Sequence, residues 1–430
     1  MRPSWLTLGL GVALAASLPV HHSPVTLTSG ALTTPPSPIL RTVPVGAWPS
    51  AIAVDASTRR AFVVNARDAS VSVLDAQSGA VLRTVALAPA DRPFTYAGII
   101  GVDAPAGHVF VDARDETGQG YVSMLDARTG ARLRTVRVGL QPFGLAVDAA
   151  TARVFVANGQ SGTISILDSH SGAVVATTPV EGRPTWLVAA PGATRILVNA
   201  TGTPHLALLD ARTGARVARA LGGAGIGAVA VDERAGRVIT DDSAGVLRLL
   251  DARTGAVRAT RRGGVDALTS SIYPDNVDMR LGRAYLAGPP PGKDSDQSPA
   301  GSRITGALLA VDTRTGTVVG RVSVTPHPNM IVVDAVHGHI LTVVIGPIDS
   351  AGNPLGSGQL DIRDERTLRL VRTVRMGVAP YVLAVAPSLG RVYVVNAAIS
   401  FDPSSYGSAP TVAGHTLTHG TVTVLDLARL

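Results

Sequence analysis

The chain has 430 residues, 46% apolar but only 4% aromatic, with 46 glycines and 29 prolines. A charged fraction of 16% argues against an acidic or disordered protein, and the absence of cysteine excludes disulfides, thiolate metal sites, a cysteine nucleophile and a lipidated N-terminal cysteine. The formal charge of +7 rests almost wholly on arginine, since Lys293 is the only lysine; arginine suits phosphate and carboxylate, yet most of these recur at equivalent turn and strand positions, which reads as a solvated rim.

In chain order, the first expectation is an export signal over residues 1–15. Arg2 gives a basic start, Leu6 to Leu14 a short apolar core and Ala13-Leu14-Ala15 a small-residue cleavage site. The run is too short and too rich in Gly, Ser and Thr for a membrane span, so no integral membrane domain is expected. Residues 16–38 read as a Pro/Ser/Thr-rich tether. Export with a large disulfide-free fold predicts a periplasmic, secreted or cell-surface location.

From residue 39 to 430 the chain repeats itself. Each unit has an apolar innermost strand, a second strand starting near Arg, a third ending in a hydrophobic-Asp pair, then a tight turn and a fourth strand. The cleanest copy is GLAVD (Gly144 to Asp148), RVFVAN (Arg153 to Asn158), TISILD (Thr163 to Asp168) and AVVATT (Ala173 to Thr178). The third-strand aspartates are Asp75, Asp126, Asp168, Asp210, Asp251, Asp312, Asp364 and Asp426. Four short strands in units of roughly 40–45 residues spell a β-propeller blade. Eight copies predict an all-β, eight-bladed propeller of four-stranded antiparallel blades, or seven if the sixth unit, around NVDM (Asn276 to Met279), is an insertion.

The ends fit together. The last unit stops after its third strand, and a spare strand at Ile39 to Val45 matches the fourth-strand phrases, so the N-terminal strand is expected to close the last blade. In DARTG the Asp side chain is expected to accept backbone N–H groups and Gly to supply a positive φ, making the phrase architectural.

AFVVN (Ala61 to Asn65), VFVAN (Val154 to Asn158) and VYVVN (Val392 to Asn396), each followed by a VSVLD-like third strand, resemble the YVTN/YncE-type propeller repeats. The resemblance implies the fold over residues 39–430 and an exported or surface protein. It leaves activity open, because relatives of this kind include a DNA-binding periplasmic protein and, more distantly, lactonases and haem-binding propellers.

Irregularity gathers on one face. The turns after the first and third strands are short and uniform, whereas Ala287 to Arg303, Gly346 to Gln359 and Asn396 to Gly420 enlarge the turns after the second strand. Links into the innermost strand are enlarged at Ala90 to Gly98 and Gly263 to Asp275. Loops on a rigid scaffold are the usual carriers of binding function. The residue after the proline that starts an innermost strand is expected to face the channel: Ser50, Phe143, Thr185, Asn329 and Tyr381, with His327 just before Pro328. These are the candidate ligand-binding residues, against the plainer reading of a water-filled channel with ordinary polar rims. Asp294 and Asp296 in KDSD, with His415 and His419 in HTLTH, are weak metal candidates, since i,i+4 histidines have metal spacing only on a helix and Gly414 and Gly420 argue against one.

No nucleophile elbow, phosphate-binding loop or dinucleotide fingerprint is present, no catalytic residue is nominated and no cofactor is expected. The expected role is a non-enzymatic scaffold of the cell envelope whose partner is an envelope protein, a peptide or a small ligand. A metal- or cofactor-dependent hydrolase or oxidoreductase is the alternative, and DNA binding the third choice, because the long loops lack interleaved Arg, Lys and aromatics.

Overall fold

Second strands in this chain are apolar without alternation, as in Val154-Phe155-Val156-Ala157, which demands burial on both faces of the sheet. A computed structural model describes residues 36–89, 93–223, 226–265, 276–288, 306–324, 328–347, 356–397, 411–412, 415–416 and 419–430, and supplies that burial by stacking sheets side by side. Ala61 and Val63 join a cluster with Val392 to Val395 of the last blade, while Phe62 and Val64 join Val109 and Val111 of the second. The proposed signal and most of the tether lie outside the described residues.

Eight four-stranded antiparallel sheets make up the ring. In blade 3 the strands are Pro142–Asp148, Arg153–Asn158, Thr163–Asp168 and Val174–Pro179, from the innermost outward. The sixth unit is a true blade, although its innermost strand is cut to Val277–Asp278. Blade 8 completes itself with the start of the chain: Ile39–Pro44 pairs antiparallel with Thr421–Asp426, Val43 facing Val422. Arg391 and Tyr393 of that blade reach the turn of blade 1, donating to the carbonyl oxygens of Gln77 and Ala76.

The DARTG turn locks each blade to its predecessor. Asp126 Oδ1 accepts from the Thr129 amide at 2.7 Å, from the Thr129 hydroxyl at 2.7 Å and from the Arg128 amide at 3.1 Å. Gly130 adopts φ 72°, and a Cβ there would lie 2.6 Å from Val73 Cγ2 of blade 1. Glycine is therefore needed twice, for the left-handed turn and for the approach of the neighbouring blade. Arg153 Nη1 meets Asp168 Oδ2 at 2.9 Å across the second and third strands, and Arg60, Arg195 and Arg237 repeat that pair in their own blades. The innermost strands of blades 1, 2, 3, 5, 6 and 7 end in Asp55, Asp103, Asp148, Asp232, Asp278 and Asp334; those of blades 4 and 8 end in Ala190 and Ala386 and run into short 3-10 turns instead.

Candidate functional site

Each innermost strand of blades 1, 3, 4, 5, 7 and 8 begins with a slip in its ladder. One residue is left over between Pro49 and Ala51, Pro142 and Gly144, Pro184 and Trp186, Ile226 and Ala228, Pro328 and Met330, and Pro380 and Val382. The leftover residues are Ser50, Phe143, Thr185, Gly227, Asn329 and Tyr381. Blade 2 takes two at the same place, Gly98 and Ile99. All five proline-following candidates are thus bulged residues on the rim of the elaborated mouth, released from the ladder so that their side chains are re-aimed.

The bulges do not all have the same work. Ser50 Oγ donates to the Gly98 carbonyl at 3.3 Å, and Asn329 Nδ2 donates to the Tyr381 carbonyl, so two of them tie one bulge to the next around the ring. Thr185 accepts from Asn199 Nδ2 at 3.4 Å within its own blade, and Tyr381 packs against the hydrophobic cluster of blades 7, 8 and 1. Phe143 differs, with 46% of its surface exposed.

Beside the bulges, the asparagine that ends a second strand braces the mouth. Asn158 Oδ1 accepts from the Gly139 amide at 3.1 Å, while Nδ2 donates to Thr163 and Ser165 of the third strand. Asn65 and Asn396 make the same three contacts in blades 1 and 8. The asparagine of the repeated phrase is structural.

Blade 2 breaks this pattern. Ala113 stands where blades 1, 3 and 8 have asparagine, and Arg114 follows where they have Ala66, Gly159 and Ala397. The Arg114 guanidinium carbon lies 4.2 Å from the centre of the Tyr96 ring and 5.6 Å from that of Phe143. Its Nη1 is buried without a hydrogen-bond partner, and among the described residues it forms no ion pair. Two positions back, Asp112 is 1% exposed; Oδ1 accepts from the Ile99 amide and Oδ2 has no partner. Burial pushes its carboxyl up to about 7, against the amide bonds that would lower it. Asp115 is already engaged, by Thr117, by the Gln119 amide and by Tyr121, whose hydroxyl donates at 3.1 Å. Phe94, in the enlarged link of blade 2, stacks on Tyr121 at 4.8 Å.

Sequence reasoning singled out Phe143 and the enlarged link that ends at Gly98, but not Arg114 or Asp112. A usable signal was present: in blade 2 a charged residue occupies the position that follows the asparagine, and is small, in blades 1, 3 and 8. His327, Asp294 and Asp296 lie outside the described residues, as does the side chain of His415, while His419 is exposed. Among the described residues no group of three or more metal-ligating side chains comes together.

On the opposite face, Glu365 of blade 7 replaces the small residue after the third-strand Asp and reaches Asp278 of blade 6. The two carboxyls hydrogen-bond, and Arg280 Nη2 meets them at 3.1 Å and 3.0 Å. Burial and the neighbouring Asp278 push Glu365 up to about 7, while Asp278 is lowered despite its burial by its bonds to Arg280 and Glu365. Thr313 makes the corresponding contact to Asp232, so this cluster belongs to the staples between blades.

No protein-family model matches the chain, and no curated protein matches it. Solved structures do. The crystal structure of the computationally designed Ika8 protein aligns with a TM-score of 0.62 at 14% identity, over 91% of this chain and all of that one. BamB from Moraxella catarrhalis aligns with a TM-score of 0.57 at 18% identity, over 90% and 99%. The likeness is one of fold. A designed chain shares the architecture from end to end, so the ring by itself carries no particular activity. Among the described residues no helix is long and apolar enough to cross a membrane.

Proposed function

We propose that this chain, with its YVTN/YncE-like repeats, is an exported binding scaffold of the cell envelope that works without catalysis and holds its partner at the elaborated mouth. The observation that carries this reading is the ring of bulges at the start of the innermost strands, which lies at the elaborated mouth and leaves Phe143 half exposed beside Arg114. The stems of the three largest insertions, at Gly288 and Gly306, at Ile345 and Gly358, and at Asn396 and Thr421, leave and return on that same face. Rigid blades hold the rim in place before a partner arrives, so little ordering entropy is lost on binding.

A thermal-shift screen of small polar compounds, acids and peptides tests the reading. A true ligand at one hundred times its Kd stabilises by about 2.7 kcal/mol. That shift is expected to vanish in Phe143→Ala or Tyr381→Ala and to survive Arg128→Ala on the plain face. Ligands whose effect survives both mouth substitutions and is lost with Arg128 would move the binding face to the other side of the ring.

A further inference from the structure

We infer that Arg114, set against Tyr96 and Phe143, anchors a site for a small planar carboxylate at the junction of blades 2 and 3, an inference that rests on the mouth being the binding face. Three observations meet there. The guanidinium lies beside two aromatic rings, close over Tyr96 and farther from Phe143, which satisfies the faces of a planar cation and leaves its in-plane N–H groups as the remaining valence. One of those groups, Nη1, has no partner although it is shut away from water, a state that costs free energy until an acceptor arrives. A carboxylate offers two acceptor oxygens in the plane that an arginine fork requires. Phe143 then supplies an exposed apolar face for the body of the ligand, and it stands there because the bulge at Pro142 and Gly144 lifts it out of the ladder.

Among the described residues, Asp112 and Asp115 of the same blade do not fill the place. Asp115 spends its oxygens on Thr117, Gln119 and Tyr121. Asp112 turns Oδ1 to the bulge amide of Ile99 and makes no ion pair with Arg114. Burial pushes the Asp112 carboxyl up to about 7 although the Arg114 charge pulls it down, so this acid is only a partial counterion to the arginine. The Thr95 amide donates to the Arg114 carbonyl at 2.9 Å and Tyr96 pairs with Arg114 in the ladder, which holds the backbone of the second strand to the link.

Isothermal titration of the full chain with benzoate, and with benzamide as its uncharged counterpart, tests the assignment. Benzoate is expected to bind roughly tenfold or more tightly than benzamide, and to lose roughly tenfold or more in Arg114→Lys, which keeps the charge but not the fork, and in Phe143→Ala. Arg128→Ala on the plain face is expected to bind as the parent does. Inorganic phosphate binding as tightly as benzoate, with the same loss in Arg114→Lys, would overturn the planar carboxylate. Equal binding of benzoate and benzamide, both lost in Phe143→Ala, would overturn the carboxylate while leaving the mouth as a binding face. Benzoate affinity unchanged in both mouth variants, or no binding at millimolar concentration, would overturn the site itself.

Discussion

Asp112 and Glu365 are both acids that burial pushes up to about 7, and they answer to different neighbours. Glu365 has a cation and a second carboxyl to share its proton with; Asp112 has backbone amides and one oxygen without a partner. The sign of the Asp112 effect follows from linkage. An unfolded aspartate ionises near pH 4, whereas the folded one keeps its proton to about 7, so between those values the native state binds the extra proton and stability falls as pH rises. The slope from this one group is at most about 1.4 kcal/mol per pH unit. Urea midpoints measured from about pH 5 to about pH 8 are expected to fall less steeply for Asp112→Asn than for the parent, because an amide oxygen still accepts from Ile99 and nothing remains to ionise. Equal slopes would mean that Asp112 is already charged in the folded chain. The turn aspartates run the other way: the Thr129 amide, more than any other contact, holds Asp126 below its ordinary value, so its contribution is lost only in acid. Blade 7 shows what the turn tolerates, since Leu368 stands at the glycine position with φ 60°. Its side chain is buried in the cluster of blades 6 and 7, which offsets a left-handed backbone costing roughly 1–2 kcal/mol.

The strand Ile39–Pro44 is the element on which the ring depends. Without it, Thr421–Asp426 becomes a free edge and loses the cover that Val43, buried against blade 8, provides. Deleting residues 39–44 is expected to lower the melting temperature followed by circular dichroism, and Val43→Asp to cost roughly 3 kcal/mol or more by burying an unpaired charge. A melt unchanged by the deletion would show that blade 8 stands as three strands. The spare strand and its place beside the last third strand were legible beforehand, because Leu40 to Val43 repeats the fourth-strand phrase LRTV of Leu82 to Val85 and Leu133 to Val136 while the last unit has no fourth strand of its own. The bulges were only half legible. Proline marked their place, but the extra residue shows itself only when the register of the second strand is known.

At the scale of the whole molecule, eight outer strands present eight edges to solvent. Seven carry arginine and none carries an acid, as in LRT of Leu40 to Thr42 and RLRTVR of Arg132 to Arg137. Many of these arginines reach back to a carbonyl of the adjoining blade, Arg83 to Thr129 and Arg134 to Ser171 among them. Like charges on every such edge oppose edge-to-edge pairing between molecules. These arginines stand on the outer strands of the ring. Blade 3 is the exception: Val174–Pro179 has no charge, and Val175 is 53% exposed. Thr177→Lys, which places a cation on that edge, is expected to reduce concentration-dependent light scattering; an unchanged signal would show that this edge takes no part in self-association.

Period and composition by themselves determined the blades, the closing strand and the face on which variety collects, because those follow from repeated local patterns of burial and turn chemistry; they favoured eight blades over seven, and the four-stranded sixth unit decided it. They also marked Phe143, through the proline before it. Only the tertiary structure decided what each marked residue does. Ser50 and Asn329 became ties between bulges, and Arg114 came to lie near both Tyr96 of its own blade and Phe143 of the next. Those meetings join residues from separate blades, and distance across a ring is set by how whole sheets stack, not by any spacing along the chain.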